Sequence, residues 1–118
     1  MTSYDPNNVF ARILRDEIPS DRVYEDEQFI AFRDINPEAP VHVLVIPRGE
    51  PPPSLAAVDD ADADWLGRMI VVARKVAADL GIAERGYRVV FNSGRDAHQE
   101  VQHLHLHILG GGDLGPMA

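Results

Sequence analysis

The sequence predicts an α+β domain: a five-stranded antiparallel sheet with a short N-terminal helix and one long helix. Three observations lead there. Residues 22–25, 29–34, 41–46, 87–92 and the stretch after Gln99 alternate apolar with polar side chains or run as β-branched blocks. Asp59–Leu80 instead repeats its apolar residues at helical spacing. The connections are short, without internal repeats or a dividing linker, so the 118 residues form one domain, with neighbouring strands pairing as antiparallel partners.

Residues 1–8 read as a loose polar arm. Asn8 can cap a short helix in which Phe10, Ile13 and Leu14 share a face, ended near Ile18 and Pro19. Periodicity alone gives Phe10, Ile13 and Ile18 to the core. Arg22–Glu25 and Phe29–Asp34 are two strands with Asp26 and Glu27 in the turn between them. Ile35–Pro40 holds two prolines and must be a loop. Val41–Ile46 is a buried central strand carrying His42, and Pro47 ends it. Pro51, Pro52 and Pro53 form a stiff surface connection.

In the long helix Trp65, Leu66, Met69, Val72, Ala73, Val76 and Leu80 fall on one side. Asp59, Asp60, Asp62 and Asp64 gather near its start, while Arg74 and Lys75 lie in its later half, an order that complements the helix dipole. Those aspartates could hold a cation, but a solvated helix start is the simpler reading. Gly81 supplies a left-handed stop. Tyr87–Asn92 is the fourth strand, 93–99 a loop, and the fifth strand leads to Gly110, Gly111 and Gly112 and a short tail over 111–118.

Composition narrows the function. Net charge is −8, which disfavours DNA, RNA and anionic membrane surfaces as partners. A phosphate ligand would need local imidazoles and backbone N–H groups. With no cysteine, disulfides, thiolate zinc sites and cysteine nucleophiles are excluded together. No apolar run approaches the ~20 residues of a membrane span, and the N-terminus lacks the basic and apolar regions of a signal peptide. A cytoplasmic location is the expectation.

The fifth strand carries the chemistry. His103, His105 and His107 alternate with Leu104, Leu106 and Ile108. In an extended chain same-face neighbours lie roughly 6.7 Å apart, so one face is a row of imidazoles and the other packs on a core. Four of the five histidines fall within ten residues, which weighs against chance placement on a solvated face. Two chemical readings remain. Neutral imidazoles can bind a metal such as zinc. Alternatively one imidazole attacks phosphorus while its neighbours hold its tautomer and neutralise phosphate charge. Spacing alone does not choose between them.

The run His103-Leu104-His105-Leu106-His107-Ile108-Leu109 resembles the motif of the histidine triad (HIT) superfamily. The stretch 34–47, Asp-Ile-Asn-Pro-Glu-Ala-Pro-Val-His-Val-Leu-Val-Ile-Pro, is similar to that family's second block, and Gly86–Asn92 to its third. The resemblance spans roughly residues 9–111, and the Leu-Gly-Gly ending points to the histidine triad nucleotide-binding branch.

The resemblance implies a HIT-like fold, a homodimer with one continuous sheet, and no cofactor. It implies hydrolysis of purine nucleoside monophosphate derivatives, typically adenosine 5'-monophosphoramidate. His105 would be the nucleophile and His103 and His42 its supports, with His107 and Asn92 at the phosphoryl group. Asp34 would bind the ribose hydroxyls, while Phe10, Ile13, Ile18, Phe32, Ile35 and Leu44 would wall the base. Gln99, Glu100 and Val101 would complete the nucleotide site. On the residues alone, Asp34 could equally cap a turn.

Three departures stand out: Glu100 where the family commonly has Ser or Thr, His98 where it commonly has Gly, and a tail lacking an aromatic residue. Two other functions stay open, a metal-dependent hydrolase with His42, His103, His105 and His107 as ligands, and a non-catalytic nucleotide-binding regulator. Under the covalent reading no metal is required, and zinc at those histidines would be adventitious.

Overall fold

The computed structural model describes residues 4–117. Along the chain stand helix α1 (Val9–Leu14), strands β1 (Arg22–Glu25), β2 (Phe29–Arg33) and β3 (Val41–Pro47), helix α2 (Ala63–Asp79), and strands β4 (Tyr87–Val90) and β5 (Leu106–Gly110). The strands form one sheet in the order β1-β2-β3-β5-β4, and every neighbouring pair is antiparallel.

The period of two sorts the sheet into faces. Phe29 and Ala31 of β2, Val43 and Val45 of β3, and Leu106 and Ile108 of β5 pack with Met69, Val72, Ala73, Val76 and Ala77 of α2. Leu106 is fully buried there, so its truncation to Ala costs about 2–5 kcal/mol. On the opposite face Ile30, Phe32, Leu44 and Ile46 meet Phe10 and Ile13 of α1. Leu44 pairs with His107, and His42 sits two residues from Leu44 on the same strand. The histidines therefore belong to the α1 face, and the leucines between them to the α2 face.

Several boundaries differ from the sequence reading, each for a local reason. Helix α1 stops at Leu14, ahead of Ile18 and Pro19. Arg15 and Asp16 return their N–H groups to Ala11 and Ile13, and Asp16 takes a positive φ that breaks the helix. Two short 3₁₀ turns precede α2, which begins at Ala63 rather than Asp59. The aspartates there act as caps. Asp59 accepts from the N–H of Ala61 while Asp62 accepts from the N–H of Asp59 and the indole N–H of Trp65. Strands β2 and β4 end before Asp34 and Phe91, which releases Asp34 and Asn92 into loops. Gly81 has φ 76° and closes α2 as expected.

The fifth strand is shorter than alternation suggested. Regular pairing begins at Leu106, so His103 and His105 precede it in irregular chain. Those residues are held from outside the sheet. The N–H of Leu104 donates to the carbonyl of Pro52, and the side-chain amide of Gln99 donates to the carbonyls of Pro53 and Val101. The proline run is thus a rail for the histidine segment, with Pro51 buried, rather than a surface spacer. The polar arm is also docked over residues 4–8, where Asn7 and Asn8 bond back to Asp5 and Asn8 caps α1. Residues 1–3 of the arm and residue 118 of the tail lie outside the described residues.

Candidate active site

A cleft of ≈ 450 Å³ opens on the α1 face of the sheet. It gathers His42, His105 and His107 with Asp34, Asn92, Phe10, Leu44, Glu100 and Val101, all candidates from the sequence. Fully buried His103 lies beneath the cleft rather than in its wall.

Hydrogen-bond partners fix the imidazole tautomers, because a carbonyl can only accept and a backbone N–H can only donate. His105 Nδ1 lies 2.8 Å from the His103 carbonyl, so Nδ1 carries the proton and Nε2 keeps its lone pair. That carbonyl shares its peptide plane with the N–H of Leu104, which Pro52 holds at 3.1 Å. His103 Nε2 lies 3.1 Å from the Pro47 carbonyl and is likewise a donor. Its Nδ1 therefore accepts, and the Tyr4 hydroxyl donates to it at 3.0 Å.

The second pair is fixed from the loop before β3. The Glu38 N–H donates to His42 Nδ1 at 3.1 Å, which leaves the proton of neutral His42 on Nε2. His42 Nε2 lies 2.9 Å from His107 Nδ1 and donates to it. Neutral His107 must then carry its proton on Nε2. The result is an acceptor at His105 Nε2 and a donor at His107 Nε2, on rings whose centroids lie 5.0 Å apart.

Burial disfavours the charged form of His103, His105 and His107. Desolvation lowers His103 to about 4, opposed by its bond to Pro47. Desolvation, joined by His105 and His42, lowers His107 to about 4. His105 is also lowered by desolvation, with its bond to the His103 carbonyl and the charges of Asp34 and Glu100 pulling the other way. Phe10 meets the His105 ring edge-on at 4.9 Å, which contributes to that apolar setting.

Other sequence candidates fall in different places. Ile13 and Phe32 are core residues behind the cleft, and Ile18 packs on the same cluster. Ile35, expected in the base wall, is 89% exposed, in the loop that follows β2. Gln99 does not face the cleft. Its amide is used on Pro53, Val101 and the N–H of Gly94. Asp34 does hold a turn, accepting from the Asn36 N–H at 2.8 Å with Oδ1, while Oδ2 lies 3.6 Å from His42 Nε2.

The four-histidine metal set is not assembled. Asp34, His42 and His107 instead bring ligand atoms within 4.8 Å of one another, while His103 spends both nitrogens on Pro47 and Tyr4. Glu100 lies in the cleft wall, in irregular chain ahead of β5. His98, at φ 60°, also lines the cleft.

Asn36, Glu38 and Ala97 complete the cleft and were not singled out in the sequence. Glu38 acts through its backbone N–H, which no side-chain pattern reports. Tyr4 carries no sequence signal, since it sits in a polar arm outside any periodic segment.

The HIT domain family model matches residues 15–114. The chain is 52% identical over 112 residues to the purine nucleoside phosphoramidase of Escherichia coli K12, covering 92% of this chain and 91% of that one. A HIT family hydrolase from Clostridium thermocellum is 50% identical, with a TM-score of 0.89 over 94% of this chain and 96% of its own. A histidine triad protein from Clostridium difficile superposes with a TM-score of 0.91 at 40% identity, covering 98% of this chain and all of that one. This chain belongs to the HIT domain family.

Proposed function

We propose that the protein hydrolyses purine nucleoside 5'-phosphoramidates, of the adenosine 5'-monophosphoramidate kind, through a nucleotidyl intermediate on His105. One observation carries the proposal furthest. His105 gives its Nδ1–H to the His103 carbonyl, which leaves a free Nε2 lone pair on a neutral imidazole at the cleft. Such a nitrogen attacks without first losing a proton. The 52% identity to a purine nucleoside phosphoramidase supports the same reading.

In the first step a bond forms from His105 Nε2 to phosphorus and the phosphorus–nitrogen bond breaks. The leaving nitrogen departs with that electron pair as the amine, its proton drawn from solvent, while the His107 Nε2–H hydrogen-bonds the phosphoryl group. The nucleotidyl-imidazolium is steadied by its Nδ1–H bond to the His103 carbonyl. Water then attacks phosphorus, the bond from phosphorus to His105 Nε2 breaks with its electron pair returning to the ring, the water's proton passes to solvent, and the nucleoside monophosphate, AMP for an adenosine substrate, departs. Asn92 binds phosphoryl oxygens and Asp34 accepts from the ribose hydroxyls. Phe10, Leu44 and Val101 flank the base, backed by Ile13, Ile18 and Phe32, and Ile35 offers exposed apolar surface at the rim.

The reading extends to a cytoplasmic homodimer. Among the described residues β4 pairs on one side only, and Val89, Ile70 and Val71 are exposed large hydrophobics on β4 and α2. A second sheet edge could pair there. No helix among the described residues is long and apolar enough to cross a membrane.

A second reading rests on the Asp34, His42 and His107 cluster, which could hold a divalent cation and direct a metal-assisted hydrolysis. Turnover of adenosine 5'-phosphoramidate with and without a chelator separates the two. Equal rates support the covalent path, whereas no turnover by the native protein in either condition overturns the proposed activity.

A further inference from the structure

We propose that Tyr4 is a positioning residue for the nucleophile, fixing the tautomer and place of His103 and, through it, the carbonyl that orients His105. The inference rests on the reading of His105 as nucleophile. Tyr4 lies 99 residues from His103 in sequence, in the arm ahead of α1, yet its hydroxyl is 3.0 Å from His103 Nδ1. The His103 ring is 0% exposed. Its other nitrogen donates to the Pro47 carbonyl, so the ring is pinned between the arm and the end of β3.

Those two partners are complementary only in one tautomer. Were the proton on Nδ1, the Nε2 lone pair would face the carbonyl oxygen of Pro47 in a site closed to water, leaving both acceptors unsatisfied. The Tyr4 hydroxyl selects against that state by donating to Nδ1. A second acceptor, the Gly49 carbonyl, is 3.5 Å from the same hydroxyl, so the His103 bond is the shorter and preferred one. The Asn8 side-chain amide is also 3.5 Å from Nδ1, too far to replace it fully without movement.

Movement of His103 reaches the reacting atoms by two short routes. Its own carbonyl holds His105 Nδ1–H at 2.8 Å. Phe10 packs edge-on against both rings, at 6.0 Å from His103 and 4.9 Å from His105. Tyr4 touches neither substrate nor His105, so its effect is on alignment, which governs kcat more than binding.

The test uses the full-length protein as Tyr4→Phe, which keeps the ring, and as Tyr4→Phe combined with Asn8→Ser, which removes the amide donor and keeps a helix cap. Imidazole ¹H–¹⁵N spectra without substrate report the His103 tautomer, and steady-state kinetics on adenosine 5'-phosphoramidate report kcat and KM. The expected result is a single Nε2–H tautomer of His103 in the native protein, becoming mixed or exchange-broadened in Tyr4→Phe and more so in the double variant. The kcat should fall roughly 2- to 12-fold at unchanged KM, the range of one neutral hydrogen bond. A His103 tautomer that stays single in both variants overturns the inference, whether kcat is unchanged or falls together with the thermal midpoint. A native protein inactive on the phosphoramidate sinks the proposed function instead, and the spectra still read the tautomer.

Discussion

His105 donates its Nδ1–H to the backbone carbonyl of His103, two residues earlier, at 2.8 Å. That bond gives the His105 ring two different ends, a committed donor and an available lone pair. His107, only two residues further along, has the opposite polarity toward the cleft because His42 donates to its Nδ1. A free lone pair and a hydrogen-bond donor therefore arise from identical side chains, distinguished by what each ring meets behind it.

Asp34 is expected to distinguish ribose from its deoxygenated analogues. Asp34→Ala should weaken AMP binding by roughly 1.5–3 kcal/mol, the range for hydrogen bonds to a charged group. Binding of the 2',3'-dideoxy analogue should change much less. Calorimetric titration of both ligands checks this. Because Asp34 already holds the Asn36 N–H, equal losses would assign it to the turn alone.

Glu100 shares the cleft with His105, and its charge acts on that ring. An ionised carboxylate several ångströms from a phosphate costs on the order of 1–4 kcal/mol at effective dielectrics of 20 to 80. Glu100→Ser should therefore raise kcat/KM and reduce its salt dependence. A slower variant lacking the alkaline limb of the pH profile would assign Glu100 to protonating the leaving amine instead. If neither rate nor salt dependence changes, the carboxylate is turned to solvent.

Activity should persist into acid. All three triad rings titrate below the ordinary histidine value, so the acid limb of kcat/KM should lie below 6.5. Stability follows the same sign. The unfolded chain protonates His103 and His107 near 6.5 and the folded one only near 4, so between those values the unfolded state binds more protons. Their contribution is present above about 6.5 and lost as pH falls toward 4, on the order of 3 kcal/mol for fully buried His103. Denaturant midpoints from pH 7 to pH 4 measure it, and a flat profile would contradict neutral burial.

Metal should inhibit rather than activate. Asp34, His42 and His107 can bind zinc, but doing so takes the proton from His42 Nε2 and ends its bond to His107. Chelator should leave phosphoramidate turnover unchanged and micromolar zinc should lower it. Loss with chelator and recovery with zinc would promote the metal reading.

Much of this arrangement was legible in the residues. The alternation of Leu104, Leu106 and Ile108 with the histidines reported the two faces correctly, since burial against α2 demands it. The β-branched run around His42 reported a central strand, and it is the strand beside β5. What alternation could not report was where regular pairing stops. His103 and His105 keep their sides although the strand starts only at Leu106, because Pro52 and Pro47 supply backbone carbonyls from a distant segment. Tautomers were invisible for the same reason, being set by main-chain groups of Glu38, His103 and Pro47 and, at His103, by the distant Tyr4 hydroxyl. Ile35 shows the limit of reading a pocket from residue type, since an apolar side chain at a loop start is free to face solvent.

Trapping the covalent bond at His105 is the sharpest test of the proposed chemistry. The native protein is mixed with adenosine 5'-phosphoramidate, quenched in alkali within one turnover, and its peptides are sequenced by mass spectrometry. A nucleotidyl adduct is expected on His105 and absent from His105→Ala, whose kcat should be several powers of ten lower. An adduct on any other residue, or near-native turnover by His105→Ala, would contradict it.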